Sequence, residues 1–259
     1  QVRNERGTLV YSRIKSKEAS EKIVYNTLTV PVRERFQLVL ADGTKVFLNS
    51  GSEMRYPERF GKARREVFLK GEAWFEVAKD SAREFWVHAG AMDVKVLGTS
   101  FNVKAYERLE TVATTLVEGS VEVACAGKSF QIVPGEQFVY DKNNRVMDVR
   151  MVDTESYVSW KDGYYKFRQT TLEEIMETLS VWYGLNVFYV NESAKQVEFT
   201  GKVKRYEDAR MLLDKFEQTG DVVFDIKGNN VFITIKQKKP FAREWNSFLV
   251  KARGMVWQS

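Results

Sequence analysis

Val67-Phe-Leu-Lys-Gly-Glu-Ala-Trp-Phe-Glu-Val77 and, soon after it, Asp93-Val-Lys-Val-Leu-Gly-Thr-Ser-Phe-Asn-Val103 decide how this chain folds. In both, apolar and polar side chains alternate with a period of two, and glycine stands at the joints. A strand presents successive side chains to opposite faces, so this alternation reads as half-buried antiparallel β-structure. The first stretch is expected to form two short strands joined at a Gly71-Glu72 turn. The second is expected to form a strand, a break at Gly98-Thr99-Ser100, and another strand. Neither reads as an active site.

Outward from these stretches, residues 23 to 152 continue in the same manner, with no convincing helix. Phe36-Gln-Leu-Val-Leu40 and Lys45-Val-Phe-Leu48 flank Asp42-Gly43, a strong hairpin signal because both residues tolerate positive φ. Further strands are expected over 66–69, 74–77, 85–89, 94–97, 101–105, 112–117, 121–124, 130–133, 137–140 and 146–151. Short strands with turn signals at such spacing indicate a β-sandwich, a barrel or a solenoid-like stack. A repeat of fixed period is missing, which argues against a regular solenoid. Residues 1–22, polar and charged, read as an irregular lead-in.

The character changes near Asp153. Gly163-Tyr-Tyr-Lys-Phe167 reads as a strand, and Thr171-Leu-Glu-Glu174 as a capping box opening a helix. Leu172, Ile175, Met176 and Leu179 follow at helical spacing, with Gly184 suited to the position just past the helix end. Strands over 186–190 and 197–203 precede a second helix from about 206 to 219, in which Ala209, Leu212, Leu213 and Phe216 form a stripe. Val222-Val-Phe-Asp-Ile226 and Val231-Phe-Ile-Thr-Ile235 then bracket a Lys227-Gly-Asn-Asn230 turn. The order is β-α-β-β-α-β-β over 153–236, in which two amphipathic helices cover one face of a small sheet as a compact α+β domain. The tail, 237–259, carries Phe241, Trp245, Phe248 and Trp257 and reads as a short docked helix or an irregular end. The expected class is therefore mainly β, an all-β sandwich or solenoid-like domain followed by a small α+β domain.

Composition supports two folded domains in 259 residues. The 40 basic and 35 acidic side chains give a formal charge of +5 with the signs well mixed, unlike the concentrated basic face of a nucleic-acid binder. The single cysteine, Cys125, reads as a small strand hydrophobe. It excludes an intrachain disulfide. A run of 18 apolar residues does not occur, and a signal peptide is not visible, so any such segments of a parent protein are expected outside this sequence.

Groups able to do chemistry are scarce. His88 is the single histidine and sits within a strand pattern, where a surface or hydrogen-bonded role suits it. It cannot supply a multi-histidine metal site, and it lacks the Gly-x-Ser-x-Gly elbow of a serine hydrolase. Phosphate-binding glycine loops are absent. Glu72 and Glu76 share one face of a strand and are the candidates for a hydrolase carboxylate pair. The six Trp, 11 Tyr and 17 Phe admit a carbohydrate-binding module as the second reading, although a core or a protein interface uses such residues more often. Trp74, Trp86 and Trp182 fit core positions, and Trp160, at the junction of the two domains, fits packing between them. No cofactor or metal is expected.

Several segments in order resemble the periplasmic region of FecR-family anti-sigma factors. They begin with YNTLTVPVRERFQLVLADGTKVFLNSGSEMRYPERFGKARREVFLKGEAWFEVAKD (25–80) and FWVHAGAMDVKVLGTSFNVKAYE (85–107), and continue with TTLVEGSVEV (114–123) and VPGEQFVYD (133–141). YVSWKDGYYKFRQTTLEEIMETLSVWYGLNVFY (157–189) and FTGKVKRYEDARMLLDKFEQTGDVVFDIKGNNVFI (199–233) are similar to the small C-terminal domain of Bacteroidetes members. The resemblance implies a non-enzymatic part of an inner-membrane regulator. It implies a cytoplasmic domain that binds the sigma factor, a transmembrane helix, and a periplasmic region that receives the signalling domain of a TonB-dependent transducer. The first two are not in this sequence. The β-α-β-β-α-β-β order is similar to that signalling domain. For docking of the transducer by strand pairing or hydrophobic contact, the expected edges are 197–200 and 231–234, with Val197, Phe199, Tyr206, Val231 and Ile233 as contact residues.

Overall fold

The computed structural model describes residues 2–5, 8–11, 23–205 and 208–236, so the expectations for 12–22, Tyr206 and 237–259 lie outside the described residues. Fifteen strands come first. They are β1 (Val2–Glu5), β2 (Thr8–Tyr11), β3 (Tyr25–Thr29), β4 (Phe36–Val39), β5 (Lys45–Leu48), β6 (Glu53–Pro57), β7 (Arg65–Glu76) and β8 (Phe85–Ala89). β9 (Met92–Val96), β10 (Ser100–Ala105), β11 (Thr111–Glu118), β12 (Val121–Cys125), β13 (Lys128–Ile132), β14 (Glu136–Asp141) and β15 (Val146–Met151) complete them. Then follow α1 (Thr154–Val158), a 3-10 turn (Ser159–Asp162), β16 (Tyr164–Thr171), α2 (Leu172–Tyr183), β17 (Asn186–Tyr189) and a second 3-10 turn (Glu192–Gln196). β18 (Glu198–Lys204), α3 (Ala209–Thr219), β19 (Val222–Lys227) and β20 (Asn230–Ile235) end the described chain.

The fifteen strands form two sheets that share β7. One runs β1-β2-β4-β5-β7-β10-β11-β14-β15, the other β3-β6-β7-β8-β9-β12-β13. The expected Gly71-Glu72 turn is not there, for β7 is one continuous strand. Its first half pairs with β6 and β8, while Gly71 to Glu76 pair with β10. Gly71 marks the change of sheet at φ +108°, and a Cβ there would lie 2.5 Å from Ser52 Oγ and 2.7 Å from Ser52 Cα. Only glycine admits that conformation and that approach.

Inward residues of both sheets fill one core, including Leu38, Val46, Phe75, Phe101 and Phe138 from the first sheet and Val67, Val87, Val94, Val123 and Ile132 from the second. Phe75 meets Phe85 with ring centroids 6.1 Å apart, and Phe130 meets Phe138 at 5.1 Å, both across the sheets. This is a β-sandwich. Each such side chain contributes about 1.5–3 kcal/mol by leaving water. The Asp42-Gly43 hairpin forms as expected between β4 and β5. Its Asp42 pairs at 2.8 Å with the fully buried Arg65. The lead-in differs from expectation, because β1 and β2 pair with each other and β2 joins the edge of β4 in parallel. Four-residue strands carry too little pattern to be seen without the edge that pairs them.

The C-terminal part follows the expected β-α-β-β-α-β-β order. Thr171 caps α2 by accepting from the Glu174 amide at 3.3 Å, and Gly184 closes it at φ +68°. Asp208 caps α3, accepting from the Arg210 amide at 2.8 Å. The strands divide into an antiparallel pair, β16-β18, and a three-stranded sheet, β17-β20-β19, in which β17 runs parallel to β20. Ile175, Met176, Leu179, Leu212, Leu213 and Phe216 pack with Val222, Val231 and Ile233. The helix α1 was not expected. Five residues carry no stripe, and it rests on a cap from Asp153.

Alternation along β7 positions the two parts. Ala73 and Phe75 point into the sandwich, so Glu72, Trp74 and Glu76 take the outer face. Trp74 is buried there with Trp160, Tyr165, Phe167 and Trp182 of the C-terminal part. The outer face of the first sheet is therefore the floor on which that part sits.

Candidate functional site

At this junction five residues from separate segments close a ring of hydrogen bonds, one of them through its backbone carbonyl. Asn49 follows β5, Glu72 lies on β7, Asn102 on β10, Trp160 in the first 3-10 turn, and Arg205 just after β18. Asn49 Nδ2 donates to Glu72 Oε2 at 2.7 Å, and Asn102 Nδ2 donates to Glu72 Oε1 at 2.9 Å. Trp160 Nε1 donates to Asn102 Oδ1 at 3.2 Å. The Arg205 guanidinium donates to Asn49 Oδ1 and to the Trp160 carbonyl, each at 2.7 Å. It also lies 3.4 Å from the centre of the Trp182 ring. All five residues are buried, Arg205 completely.

The ring answers a physical requirement. A carboxylate and a guanidinium out of water are tolerated when their hydrogen-bonding groups are filled, and here Asn49 links the two directly while Asn102 and Trp160 close the longer way round. Nearby, Tyr106 Oη donates to the Ser50 carbonyl at 2.8 Å, and Ser50 Oγ to the Val181 carbonyl at 3.2 Å. Burial, with the Glu72 charge next, holds the Tyr106 phenol well above the ordinary tyrosine value. Tyr183 Oη donates to the Arg205 carbonyl at 2.9 Å. Trp160 thus has the packing role expected for it between the two parts. Asn49, Asn102 and Arg205 were not foreseen, since they are lone polar residues in distant segments and share no spacing.

The predicted contact residues fall in different places. Val231 and Ile233 lie on β20, which is the central strand of its sheet and not an edge, and both are fully buried. Phe199 is buried on β18, 4.9 Å from Phe216 ring to ring. Val197 is half-buried just before β18, whose only strand neighbour among the described residues is β16. Tyr206 is outside the described residues. Among the described residues, the open edges of the three-stranded sheet are β17 and β19. β17 carries Phe188, 47% exposed, and is followed by Val190, 63% exposed. Phe188 stacks on the half-buried Phe232 of β20 at 5.1 Å, and the same outer face carries Asp225, Lys227 and Asn230, so two stacked rings stand in a mixed face beside the β17 edge.

Residues 26–122 match the family described as FecR protein, and residues 164–233 match that described as FecR, C-terminal. Together the two matches span more than half of the chain. The chain belongs to the FecR family. Two crystal structures, at 1.65 and 2.50 Å resolution, of a candidate anti-sigma factor from Parabacteroides distasonis ATCC 8503 are similar to it. Each is 27% identical with a TM-score of 0.74, and the similarity covers 82% and 83% of this chain and 100% of theirs. No curated protein matches.

In this FecR-family chain the two hydrolase candidates do not share a cleft. Glu72 has both oxygens filled by asparagines and lines the junction, whereas Glu76 lines a different cavity, accepts from Trp74 Nε1 at 3.2 Å and pairs with Lys45 at 3.6 Å. His88 Nδ1 lies 2.7 Å from Asp93, with the ring stacked against Phe68 and Trp86. Among the described residues no group of three His, Cys, Asp or Glu is placed to hold a metal ion. No helix among them is long and apolar enough to cross a membrane.

Proposed function

We propose that this chain is the periplasmic part of a transmembrane anti-sigma factor, receiving a signal from a TonB-dependent outer-membrane transducer to control an extracytoplasmic-function sigma factor. FecR membership and the likeness to a candidate anti-sigma factor support an anti-sigma role and a regulatory, non-enzymatic protein. In this reading the sigma factor is bound by a cytoplasmic domain, and the membrane is crossed by a helix.

The observation that carries the docking proposal is the β17 edge, open among the described residues, beside the exposed pair Phe188 and Val190. An unpaired strand offers amides and carbonyls to a partner strand, and exposed apolar side chains such as Phe188 and Val190 add area and register. The transducer's signalling domain docks here, in place of the buried Val231 and Ile233. The junction ring holds the docked part against the sandwich, so that a load on one is felt by the other. The test is a sigma-dependent reporter in cells carrying the full-length protein. Phe188→Asp abolishes the response to the transducer's ligand while the protein stays folded and abundant. An undiminished response removes β17 from the account.

A further inference from the structure

Above the junction ring, between the outer face of the first sheet and the elements packed on it, lies a cavity of about 190 Å³. Its floor is the ring itself, through Glu72, Asn102 and Trp160. Tyr157, Tyr165 and Phe167 give it aromatic walls. On its lining the buried Ser156 Oγ has no hydrogen-bond partner, and the buried Tyr165 Oη, beside the Arg205 guanidinium, has no well-aligned one. Tyr165 as a whole is 97% buried, being 3% exposed. Burial keeps its phenol protonated well beyond the ordinary tyrosine range, with the nearby Arg205 charge opposing. Unpartnered buried hydroxyls are uncommon and call for an explanation.

Two loose ion pairs cross the cleft from the sandwich to α2. Lys104 lies 3.6 Å from Glu177, and Arg150 lies 3.8 Å from Glu174. Both distances exceed a normal hydrogen bond, so donors and acceptors remain for a third group. Three acids (Glu72, Glu174, Glu177) and three bases (Lys104, Lys166, Arg150) line the cavity, leaving it electrically balanced.

We propose that this cavity binds one neutral, hydroxyl-rich ring, the chemistry of a monosaccharide, and that the ligand bridges the sandwich and the C-terminal part. Size sets the upper limit, since a cavity of about 150 Å³ takes up benzene, so this one suits a single six-membered ring and not a disaccharide. Charge balance disfavours an ion, because a cation would face Lys104 and Arg150 while an anion would face Glu72 and Glu177. Hydroxyl groups both donate and accept, as Tyr165, Ser156 and the loose ion pairs require, and the C–H face of a sugar ring suits an aromatic wall. The site is separate from the β17 edge and does not rest on the transducer reading.

The experiment is titration calorimetry of the described chain with glucose, galactose, mannose, xylose, arabinose and fucose, beside benzoate and phenylalanine as charged and zwitterionic single-ring probes. At least one sugar binds one-to-one with a millimolar or tighter Kd, and the two other probes do not. Tyr165→Phe, which removes only the hydroxyl, weakens that sugar about tenfold without lowering the melting temperature. Ala113→Leu, which fills the cavity from β11, abolishes binding. Silence from all six sugars overturns the proposal. So does binding that both variants leave unchanged, or benzoate or phenylalanine binding more tightly than any sugar.

Discussion

Replacing Arg205 by alanine tests the junction most severely. The guanidinium donates to Asn49 Oδ1 and the Trp160 carbonyl, each at 2.7 Å, and stacks 3.4 Å from the Trp182 ring centre. A hydrogen bond involving a charged group contributes about 1.5–3 kcal/mol, and a desolvated cation–π contact about 2 kcal/mol. These contributions overlap. Removing one member of a buried charged network costs about 3–5 kcal/mol, which we take for Arg205→Ala. Against a total stability of about 5–15 kcal/mol this is a large share. With a urea slope near 3 kcal/mol/M, the unfolding midpoint falls by about 1–1.7 M. Trp74, Trp160 and Trp182 lie at the junction, so their fluorescence reports it. Hydrogen exchange localises the loss, with amides of β16 and α2 deprotected by about two to four orders of magnitude. Arg205→Lys keeps the charge without the planar fork and recovers little of the loss. A midpoint within about 0.3 M of the parent, well under the expected shift, would refute the reasoning.

Gly71→Ala forces a Cβ to 2.7 Å from the Ser52 backbone at φ +108°, and chemical denaturation should show a loss of about 1–3 kcal/mol. Burial, with the Lys104 charge opposing, holds the Glu177 carboxyl above its ordinary value of 4.5, so the folded chain keeps this proton more tightly than the unfolded one. The stability gained from that proton is present below the unfolded value and is lost as pH rises through the folded value. Melting temperatures across the acid-to-neutral range should therefore decline less for Glu177→Gln than for the parent. Cys125 is buried, and burial, then the Asp93 charge, pushes its thiol up. Thiol reagents should react with it only at the rate of unfolding, and rapid labelling of native protein would contradict its placement.

Local chemistry made much of the fold legible in the sequence. Thr171, Gly184 and Asp42-Gly43 announce a cap, a helix end and a hairpin because each acts on neighbours a few residues away. Gly71 was harder. Glycine followed by glutamate looks like a turn, yet the odd-numbered residues from Val67 to Phe75 stay inward in unbroken phase, the sign of a single strand. The rank of a strand within its sheet depends on distant partners. β20 is central because β17 pairs with it in parallel from 44 positions away, as in Asn186 with Asn230, and nothing within 231–234 encodes that. The junction ring was illegible for a like reason, since Asn49, Glu72 and Asn102 become neighbours only once β5, β7 and β10 pair, and Arg205 joins them only when the C-terminal part packs on the sandwich.

The central claim, that the C-terminal part receives a transducer through the β17 edge, is tested most directly by titration calorimetry. The proposed partners are this chain and the isolated signalling domain of a TonB-dependent transducer from the same organism. The account predicts one-to-one binding with a micromolar or tighter Kd, lost in Phe188→Asp and retained in a charged substitution at the distant exposed Val133. Absence of binding, or binding that Phe188→Asp leaves unchanged, would contradict it.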